Sequence, residues 1–242
     1  METGFRDFLS ALKDLFFPPA CLICGTRLAG RQDVMFCHSC MDLIPFVREP
    51  FCTCCGRVFR NGAGGSHLCS DCLAGSYHFS KARAVFRYDD STARLLHSFK
   101  YGGRTTGLST FGALKKRLAH LEELNEQDFI VPVPLHPKRL KERGFNQSLL
   151  LAKVFFPDRK DKIHPALMER CRWTVPQTGL KGKERRKNLK NAFKVKDRIR
   201  LEGKKILIVD DVFTTGTTVN ECARTFKQAG AEDVQALTLA RA

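Results

Sequence analysis

The stretch KKILIVDDVFTTGTTVNEC, residues 204 to 222, combines the pattern of a buried strand with an unusually polar turn. The aliphatic run at 206–209 is typical of a central parallel strand that is covered on both faces. Two acids end this run, Asp210 and Asp211. Four threonines and a glycine follow where the next helix begins: Thr214, Thr215, Gly216, Thr217 and Thr218. A helix N-cap needs only one such residue. The excess of acids and threonines therefore predicts a ligand site.

The chemistry of this turn indicates which ligand it binds. Successive backbone N–H groups, a helix N-terminus and threonine hydroxyls together suit a phosphate group. The carboxylates of Asp210 and Asp211 would be repelled by that phosphate, so they must face vicinal hydroxyls or a Mg²⁺ on the ligand. A sugar phosphate satisfies both halves of the turn.

Strands and helices alternate from residue 81 onward, which predicts a parallel sheet with right-handed crossovers. The expected strands are 82–88, 128–134, 166–170, 205–211 and 233–240, and the expected helices are 91–100, 106–120, 147–156 and 216–229. Ligands of such sheets lie beyond the carboxyl ends of the strands. Three loops, at 132–148, 171–193 and 210–218, are expected to leave these ends and to form the site.

Cysteines are concentrated near the N-terminus, where C-x2-C pairs recur. Eight of them have the spacing of zinc-ribbon ligands: Cys21, Cys24, Cys37, Cys40, Cys52, Cys55, Cys69 and Cys72. Two such pairs can supply four thiolates at about 2.3 Å from one tetrahedral Zn²⁺. The spacing matches the first C-x2-C pair with the second and the third with the fourth. Neither this pairing nor the number of zinc ions follows from spacing alone. Cys54 is an alternative to Cys52 as a ligand.

Composition and the N-terminal segment exclude several classes of protein. The chain is 43% hydrophobic and 27% charged, as expected of a folded soluble protein, and no apolar run approaches the roughly 20 residues that cross a bilayer. Residues 1 to 20 carry acids among their apolar positions, unlike a signal peptide, and predict a short docking helix. We therefore expect a cytoplasmic, reducing environment, which favours zinc over disulfides.

Positive charge is concentrated in one part of the chain. The formal net charge is +16, and residues 170–205 contain fourteen Lys or Arg against three acidic residues. A polyanion is the expected partner, either a nucleic-acid backbone or a small phosphorylated ligand. The alternative is a solvated basic loop without a specific ligand.

The segment ILIVDDVFTTGTTV resembles the signature of type I phosphoribosyltransferases, which bind 5-phosphoribosyl-1-pyrophosphate (PRPP). This resemblance implies that Asp210 and Asp211 hold the ribose hydroxyls, that residues 214–218 hold the 5-phosphate, and that Mg²⁺ accompanies the pyrophosphate. It implies an α/β fold: a Rossmann-like phosphoribosyltransferase domain with a parallel sheet over residues 81–242. A small double zinc-ribbon domain, with the N-terminal helix, would precede it over residues 1–80.

Further motifs resemble the ComF competence family over nearly the whole chain. These are FKYGGR, VPVPLHPKRLKERGFNQS and QTGLKGKERRKNLKNAF, together with the N-terminal cysteine pairs. The resemblance implies that Leu135, His136 and Lys138 meet the pyrophosphate, and that Arg185 lies on a mobile hood at 177–193. It also implies a role in natural transformation, with single-stranded DNA as a partner and a competence-machinery protein such as a helicase nearby.

The pattern leaves two other functions open. One is a metabolic enzyme that transfers ribose 5-phosphate from PRPP to a nucleobase or related amine, and the other is a regulator that senses PRPP without chemistry. No nucleobase pocket is recognisable in the sequence, because such pockets lie in variable loops. Whether the protein is an enzyme, and with which acceptor, is therefore undecided at this point.

Overall fold

The structure is a computed structural model of the 242-residue chain. It describes residues 19–29, 33–59, 64–75, 77–101, 107–173, 188–196 and 200–242, and only the backbone of residues 97–101. The expected N-terminal helix and most of the expected hood, including Arg185, lie outside the described residues.

Seven α-helices and six strands make up the regular structure of the described residues. The helices are α1 His38–Leu43, α2 Ser70–Leu73, α3 Asp90–Tyr101, α4 Leu108–Lys116, α5 Pro137–Arg143, α6 Gln147–Phe155 and α7 Thr217–Gln228. The strands are β1 Lys81–Arg87, β2 Phe129–Pro132, β3 Met168–Arg170, β4 Phe193–Val195, β5 Lys205–Phe213 and β6 Asp233–Arg241. Short 3₁₀ turns occur at Ala119–Leu124 and Lys160–Lys162.

Four strands form the predicted parallel sheet, in the order β1–β6–β5–β2. The aliphatic run of β5 is buried on both faces, as its sequence predicts. Leu207 and Val209 pack in the core that α4 and α6 share, whereas Ile206 and Ile208 pack in the core that α7 covers. Burial on both faces explains why this strand is continuously apolar rather than alternating.

Cysteine-rich segments cover the outer edge of the sheet. The backbone N–H of Ala82 donates to the carbonyl of Cys54 at 2.7 Å, and that of Val47 donates to the carbonyl of Val85 at 3.0 Å. These bonds satisfy the edge of β1, which would otherwise present unpaired backbone groups. The N-terminal segment and the sheet therefore share their packing and their backbone hydrogen bonds.

Two details of the predicted sheet are wrong. The short strand β3 pairs antiparallel with β4 in a separate two-stranded sheet, so the loop at 171–193 leaves that small sheet and not the main one. Strand β5 also continues past the two acids to Phe213. It can do so because β6 is long enough to pair with Asp210 and Phe213, whereas pairing with β2 ends at Val209.

The helices predicted after residue 81 lie near their expected positions, but most of their first and last residues differ from the predicted ones. The helix expected at 106–120 is α4, Leu108–Lys116, and the chain then continues as the first 3₁₀ turn. Helix α5 lies inside the segment expected to be a loop, and it begins at Pro137, whose fixed φ suits the first turn of a helix. None of the helices in the described part of the chain is long and apolar enough to cross a membrane.

Candidate functional site

The carboxyl ends of β2 and β5 bring two of the three predicted loops together. Pro132 and Val209 are register partners, and the N–H of Val133 donates to the carbonyl of Val209 at 2.9 Å. Because β2 stops here while β5 continues, Asp210 and Asp211 project beyond the end of β2. The space next to them is therefore bounded by the segment that follows β2.

A short network of hydrogen bonds orients the first acid. Ser148 Oγ donates to Asp210 Oδ1 at 3.0 Å, and the backbone N–H of Asp211 donates to the same oxygen at 2.9 Å. Asn146 caps α6, since its Oδ1 accepts from the N–H of Ser148 at 2.9 Å while its Nδ2 donates to the carbonyl of Val133 at 3.0 Å. The Asp210 carboxylate is thus held by the N-terminus of α6 as well as by its own strand.

The phosphate loop, residues 214–218, turns sharply from β5 into α7. Gly216 is the N-cap of α7 with φ of 71°, and a Cβ at this position would lie 2.4 Å from the ring of Phe213. Only glycine fits both the left-handed backbone and the close approach of that ring. The hydroxyls of Thr215 and Thr217 lie 2.7 Å apart at the start of α7. The loop has the tight backbone and the clustered hydroxyls that a phosphate cradle requires.

A cleft of about 630 Å³ lies next to the phosphate loop. Three loop residues form one side of it, the polar face of α7 forms another, and a cysteine-rich segment closes it. The lining residues are Arg57, Asp71, Tyr77, His78, Lys190, Thr214, Thr215, Thr217, Asn220, Glu221, Arg224 and Arg241. A cleft of this size accommodates a small organic ligand, but among the described residues its lining includes neither of the two acids nor the segment that follows β2.

The pyrophosphate loop, residues 135–138, carries two of the predicted contact residues at the start of α5. His136 is the N-cap, and its Nδ1 accepts from the N–H of Lys138 at 3.3 Å. In that tautomer Nε2 carries the proton and can donate to an anionic ligand. Leu135 is half-buried and Lys138 is exposed. The structure thus places these residues after β2, at the same end of the sheet as the two acids.

Cationic and aromatic side chains gather beside the pyrophosphate loop. The Trp173 ring is 41% exposed, with Lys138 Nζ 5.1 Å and Arg139 Cζ 5.7 Å from its centroid. The ring of His136 meets it edge-on at 5.1 Å. Trp173 therefore anchors the start of the basic segment against α5 while part of the indole stays open to solvent.

A buried arginine lies behind the acids. Arg170, at the end of β3, is 9% exposed. Burial lowers the pKa of Arg170, and the charge of Arg139 lowers it further, whereas the Asp210 carboxylate raises it. Two arginines thus interact electrostatically at this end of the sheet, where an anionic ligand would offset their mutual repulsion.

Eight cysteines form two clusters. The first cysteine cluster consists of Cys21, Cys24, Cys37 and Cys40, and the second of Cys52, Cys55, Cys69 and Cys72, with all sulfur atoms of each cluster within 4.8 Å of one another. The Sγ atoms of Cys24 and Cys37 are 3.6 Å apart, and those of Cys55 and Cys69 are 3.7 Å apart. Four thiolates around a tetrahedral Zn²⁺ lie about 3.8 Å apart. The donor set and spacing fit structural zinc, in the pairing that the sequence indicates.

Backbone donors favour the thiolate form of one cysteine in the second cluster. Burial raises the pKa of Cys52, but hydrogen bonds from the N–H groups of Cys69 and Cys55 lower it, to a value of about 6. The thiolate is the form that binds zinc. Cys54 lies outside both clusters, which resolves the open choice in favour of Cys52. Cys171 and Cys222 also lie outside both clusters, the first exposed and the second buried.

Comparison with known proteins identifies the family. A double zinc ribbon domain matches residues 12–73, and a phosphoribosyl transferase domain matches residues 160–242. DNA utilization protein YhgH of Escherichia coli K12 is 33% identical over 224 residues, which cover 85% of this chain and 96% of that protein. The chain belongs to the ComF family. Competence protein F of Haemophilus influenzae, a relative, is 29% identical over 233 residues, 94% of this chain and 99% of its own length.

A further relative is also matched over most of its length. Competence protein ComFC of Bacillus subtilis is 28% identical over 238 residues, 91% of this chain and 94% of that protein. The fold class predicted from the sequence is confirmed: this ComF-family chain combines a parallel-sheet phosphoribosyltransferase domain with an N-terminal zinc-ribbon region.

Sequence reasoning located the acids and the phosphate loop of this ComF-family chain but missed the residues that hold them. Asn146 and Ser148 lie in the GFNQS segment, where the N-cap pattern before an apolar run was a usable signal. Arg241 gave no signal, because a single arginine at the end of a strand has no distinctive spacing. The structure shows that it contacts both the second cysteine cluster and the phosphate loop.

Proposed function

We propose that this ComF-family protein binds Mg²⁺–PRPP at the carboxyl edge of its sheet and handles single-stranded DNA during DNA uptake or use. The observation that carries the first part is the hydrogen-bonded placement of Asp210 beside Asp211, at the entrance to the phosphate loop. Acids directed to ribose hydroxyls and a glycine-containing loop for the 5-phosphate complement the two ends of one ligand.

The pyrophosphate group would occupy the other side of the site. The His136 ring, the Lys138 ammonium and the nearby Arg139 suit its negative charge. Carboxylates such as Asp210 and Asp211 suit Mg²⁺, which would neutralise part of the pyrophosphate charge. The resemblance to the family implies that Arg185, on the hood at 177–193, would add a further cation.

Single-stranded DNA is the proposed macromolecular partner. The half-exposed indole of Trp173, with Lys138 and Arg139 beside it, combines the stacking surface and the cations that bind single strands without sequence preference. The fourteen basic residues at 170–205 extend this positive region along the chain. The names of the relatives, competence and DNA utilization proteins, agree with a role of this kind.

The proposed protein has two units and works in a reducing compartment. Residues 1–80 form the zinc-ribbon unit and residues 81–242 the phosphoribosyltransferase unit. The protein acts in the cytoplasm, where reduced cysteines hold zinc rather than form disulfides. A DNA-handling competence protein such as a helicase is the expected protein partner, because single-stranded DNA would pass from one to the other.

Phosphoribosyl transfer to a nucleobase or related amine is the second candidate function, favoured by the placement of the pyrophosphate loop beside the acids. Cleavage at C1 builds positive charge on the ribose and negative charge on the leaving oxygens, so basic side chains and Mg²⁺ would assist it. Pyrophosphate release from PRPP with a panel of bases would support this candidate. PRPP binding without release would favour the binding or sensing role.

The experiment that tests the proposal measures both ligands. Isothermal titration with PRPP and Mg²⁺ should show binding, and fluorescence anisotropy with a labelled single-stranded oligonucleotide should show affinity that falls steeply as salt rises, since phosphate contacts release counterions. Absence of PRPP binding would refute the first part of the proposal. If DNA binding were absent, or if its affinity did not depend on salt, the second part of the proposal would be refuted.

A further inference from the structure

Arg241 is a buried arginine that the proposed chemistry does not use. It is the last residue of β6, next to β5 in the middle of the sheet, and its side chain is 6% exposed. Arginine is rarely this buried unless its guanidinium has specific partners. Its contacts therefore indicate what it is for.

On one side the guanidinium meets the second cysteine cluster. Nε of Arg241 donates to the carbonyl of Cys55 at 3.0 Å, and one terminal nitrogen lies 3.6 Å from Cys55 Sγ. The four thiolates of this cluster would carry a net negative charge even with Zn²⁺ bound. A hydrogen-bonded cation beside one sulfur offsets that charge and fixes the ligand's orientation, as groups just outside a metal site commonly do.

On the other side the same guanidinium meets the phosphate loop. The other terminal nitrogen donates to the carbonyl of Thr214 at 3.0 Å, and the group lies over the Phe213 ring, 4.4 Å from its centroid. That ring is the surface against which Gly216 packs. Arg241 therefore contacts the loop through the Thr214 carbonyl and supports it through Phe213.

We infer that Arg241 is a positioning residue that connects the second cysteine cluster to the phosphate loop, so that the loop's affinity for a sugar 5-phosphate depends on this cluster. The inference rests on the proposed PRPP site and adds a role for the zinc ribbon within it. The planar fork of arginine is required, because it donates in two directions at once. A lysine ammonium is a single point and cannot span Cys55 and Thr214 together.

A weaker connection between the same parts runs parallel to Arg241. The Tyr77 hydroxyl donates to the carbonyl of Thr215 at 3.5 Å, and the N–H of His78 donates to Asn220 Oδ1 at 2.6 Å. These contacts attach the segment after the second cluster to the loop and to α7. Loss of Arg241 should therefore weaken the phosphate loop without detaching it.

Arg83 provides a matched control. It is also buried, at 5% exposure, and it donates to the carbonyl of Thr53 at 3.0 Å, between two ligands of the second cluster. It also donates to the carbonyl of Ala82 at 2.9 Å and to Glu123 Oε1, 2.7 Å from Nε of Arg83, on the 3₁₀ turn and not on the phosphate loop. Arg83→Met thus removes a buried arginine of the sheet that contacts the same ribbon, without touching the loop.

The experiment compares wild type, Arg241→Met, Arg241→Lys and Arg83→Met. Zinc content is measured by atomic spectroscopy, thermal stability by calorimetry, and binding by titration with ribose 5-phosphate and separately with pyrophosphate. Arg241→Met should weaken ribose 5-phosphate binding by about tenfold or more and change pyrophosphate binding by less than about twofold, with Arg241→Lys between it and wild type. Arg83→Met should lower stability but leave both affinities unchanged.

Two outcomes overturn the inference. The first is that Arg241→Met binds ribose 5-phosphate as tightly as wild type. The second is that Arg241→Met and Arg83→Met both lose affinity for ribose 5-phosphate and for pyrophosphate alike. Either outcome would show that Arg241 only supports the fold. If wild type bound neither ligand, the proposed function itself would fail. Should Arg241→Met not fold, Cys69→Ser against Cys37→Ser tests the same link: damage to the second cluster should weaken ribose 5-phosphate binding, and equal effects would contradict the connection.

Discussion

Ser148 Oγ donates a 3.0 Å hydrogen bond to Asp210 Oδ1, and this bond joins the N-terminus of α6 to the part of β5 that extends beyond β2. The two residues are far apart in the sequence, in the segments GFNQS and IVDDV. Asn146 caps the same helix and contacts the end of β2. The orientation of the first acid therefore depends on two neighbouring strands and the helix that follows one of them.

Removal of this bond should weaken PRPP binding without unfolding the protein. Ser148→Ala leaves the Asp210 carboxylate with the N–H of Asp211 but without its link to α6. A hydrogen bond to a charged group contributes about 1.5 kcal/mol or more, so titration should show affinity lower by about tenfold. Ser80→Ala removes a serine hydroxyl that donates to the Val234 carbonyl, away from the site, and should not change affinity. Equal affinity in the two variants would contradict the role of Ser148.

Gly216 and Gly203 form a second pair for comparison. Their φ angles are 71° and 68°, so alanine at either position costs about 1–2 kcal/mol of backbone strain. At Gly216 the new Cβ would collide, 2.4 Å from the Phe213 ring, whereas no atom of the described residues lies within 4 Å of a Cβ at Gly203. Gly216→Ala should abolish ribose 5-phosphate binding, and Gly203→Ala should only lower the melting temperature. Retained binding in Gly216→Ala would show that the loop does not hold the phosphate.

Metal content tests the two cysteine clusters directly. The wild-type protein should contain two zinc ions per chain, and Cys54→Ser should retain both, because Cys54 lies outside the clusters. Cys52→Ser should lose the ion of the second cluster and much of the stability that the metal supplies to that segment. Atomic spectroscopy and a thermal melt measure both effects. Loss of zinc from Cys54→Ser would overturn the assignment of ligands.

Trp173 is the residue through which DNA binding is most easily tested. Its exposed indole should stack on a base, which is worth about 1–3 kcal/mol, so Trp173→Ala should lower affinity for a single-stranded oligonucleotide by about tenfold. Tyr88, 45% exposed after the end of β1, has no cation over its ring among the residues that the structure describes, and Tyr88→Ala should change affinity little. Equal affinities of wild type and Trp173→Ala would place DNA elsewhere.

Local sequence patterns predicted the parts of the fold that are buried. The run at 206–209 had to be a central strand, since a strand covered on both faces is continuously apolar, and the cysteine spacing had to bring thiolates together. Asp210 and Asp211 were likewise evident from their position at the end of that run. These features depend on a few neighbouring residues, which a single sequence displays.

Features that depend on distant partners were not predicted. Strand β3 was assigned to the main sheet because its length and composition do not reveal that it pairs with β4, which lies beyond the basic segment. The extension of β5 past the acids requires knowing that β6 reaches further than β2. The link from Arg241 to Cys55 joins residues that are 186 positions apart in the sequence, and no local pattern signals it.

The most direct test of the central claim is a titration of Mg²⁺–PRPP into wild type and into the double variant Asp210→Asn, Asp211→Asn. Asparagine keeps an acceptor oxygen for Ser148 and for the backbone, so the fold should survive and circular dichroism should be unchanged. We predict saturable binding to wild type and none to the folded double variant. Intact binding in the variant would show that PRPP binds at another site.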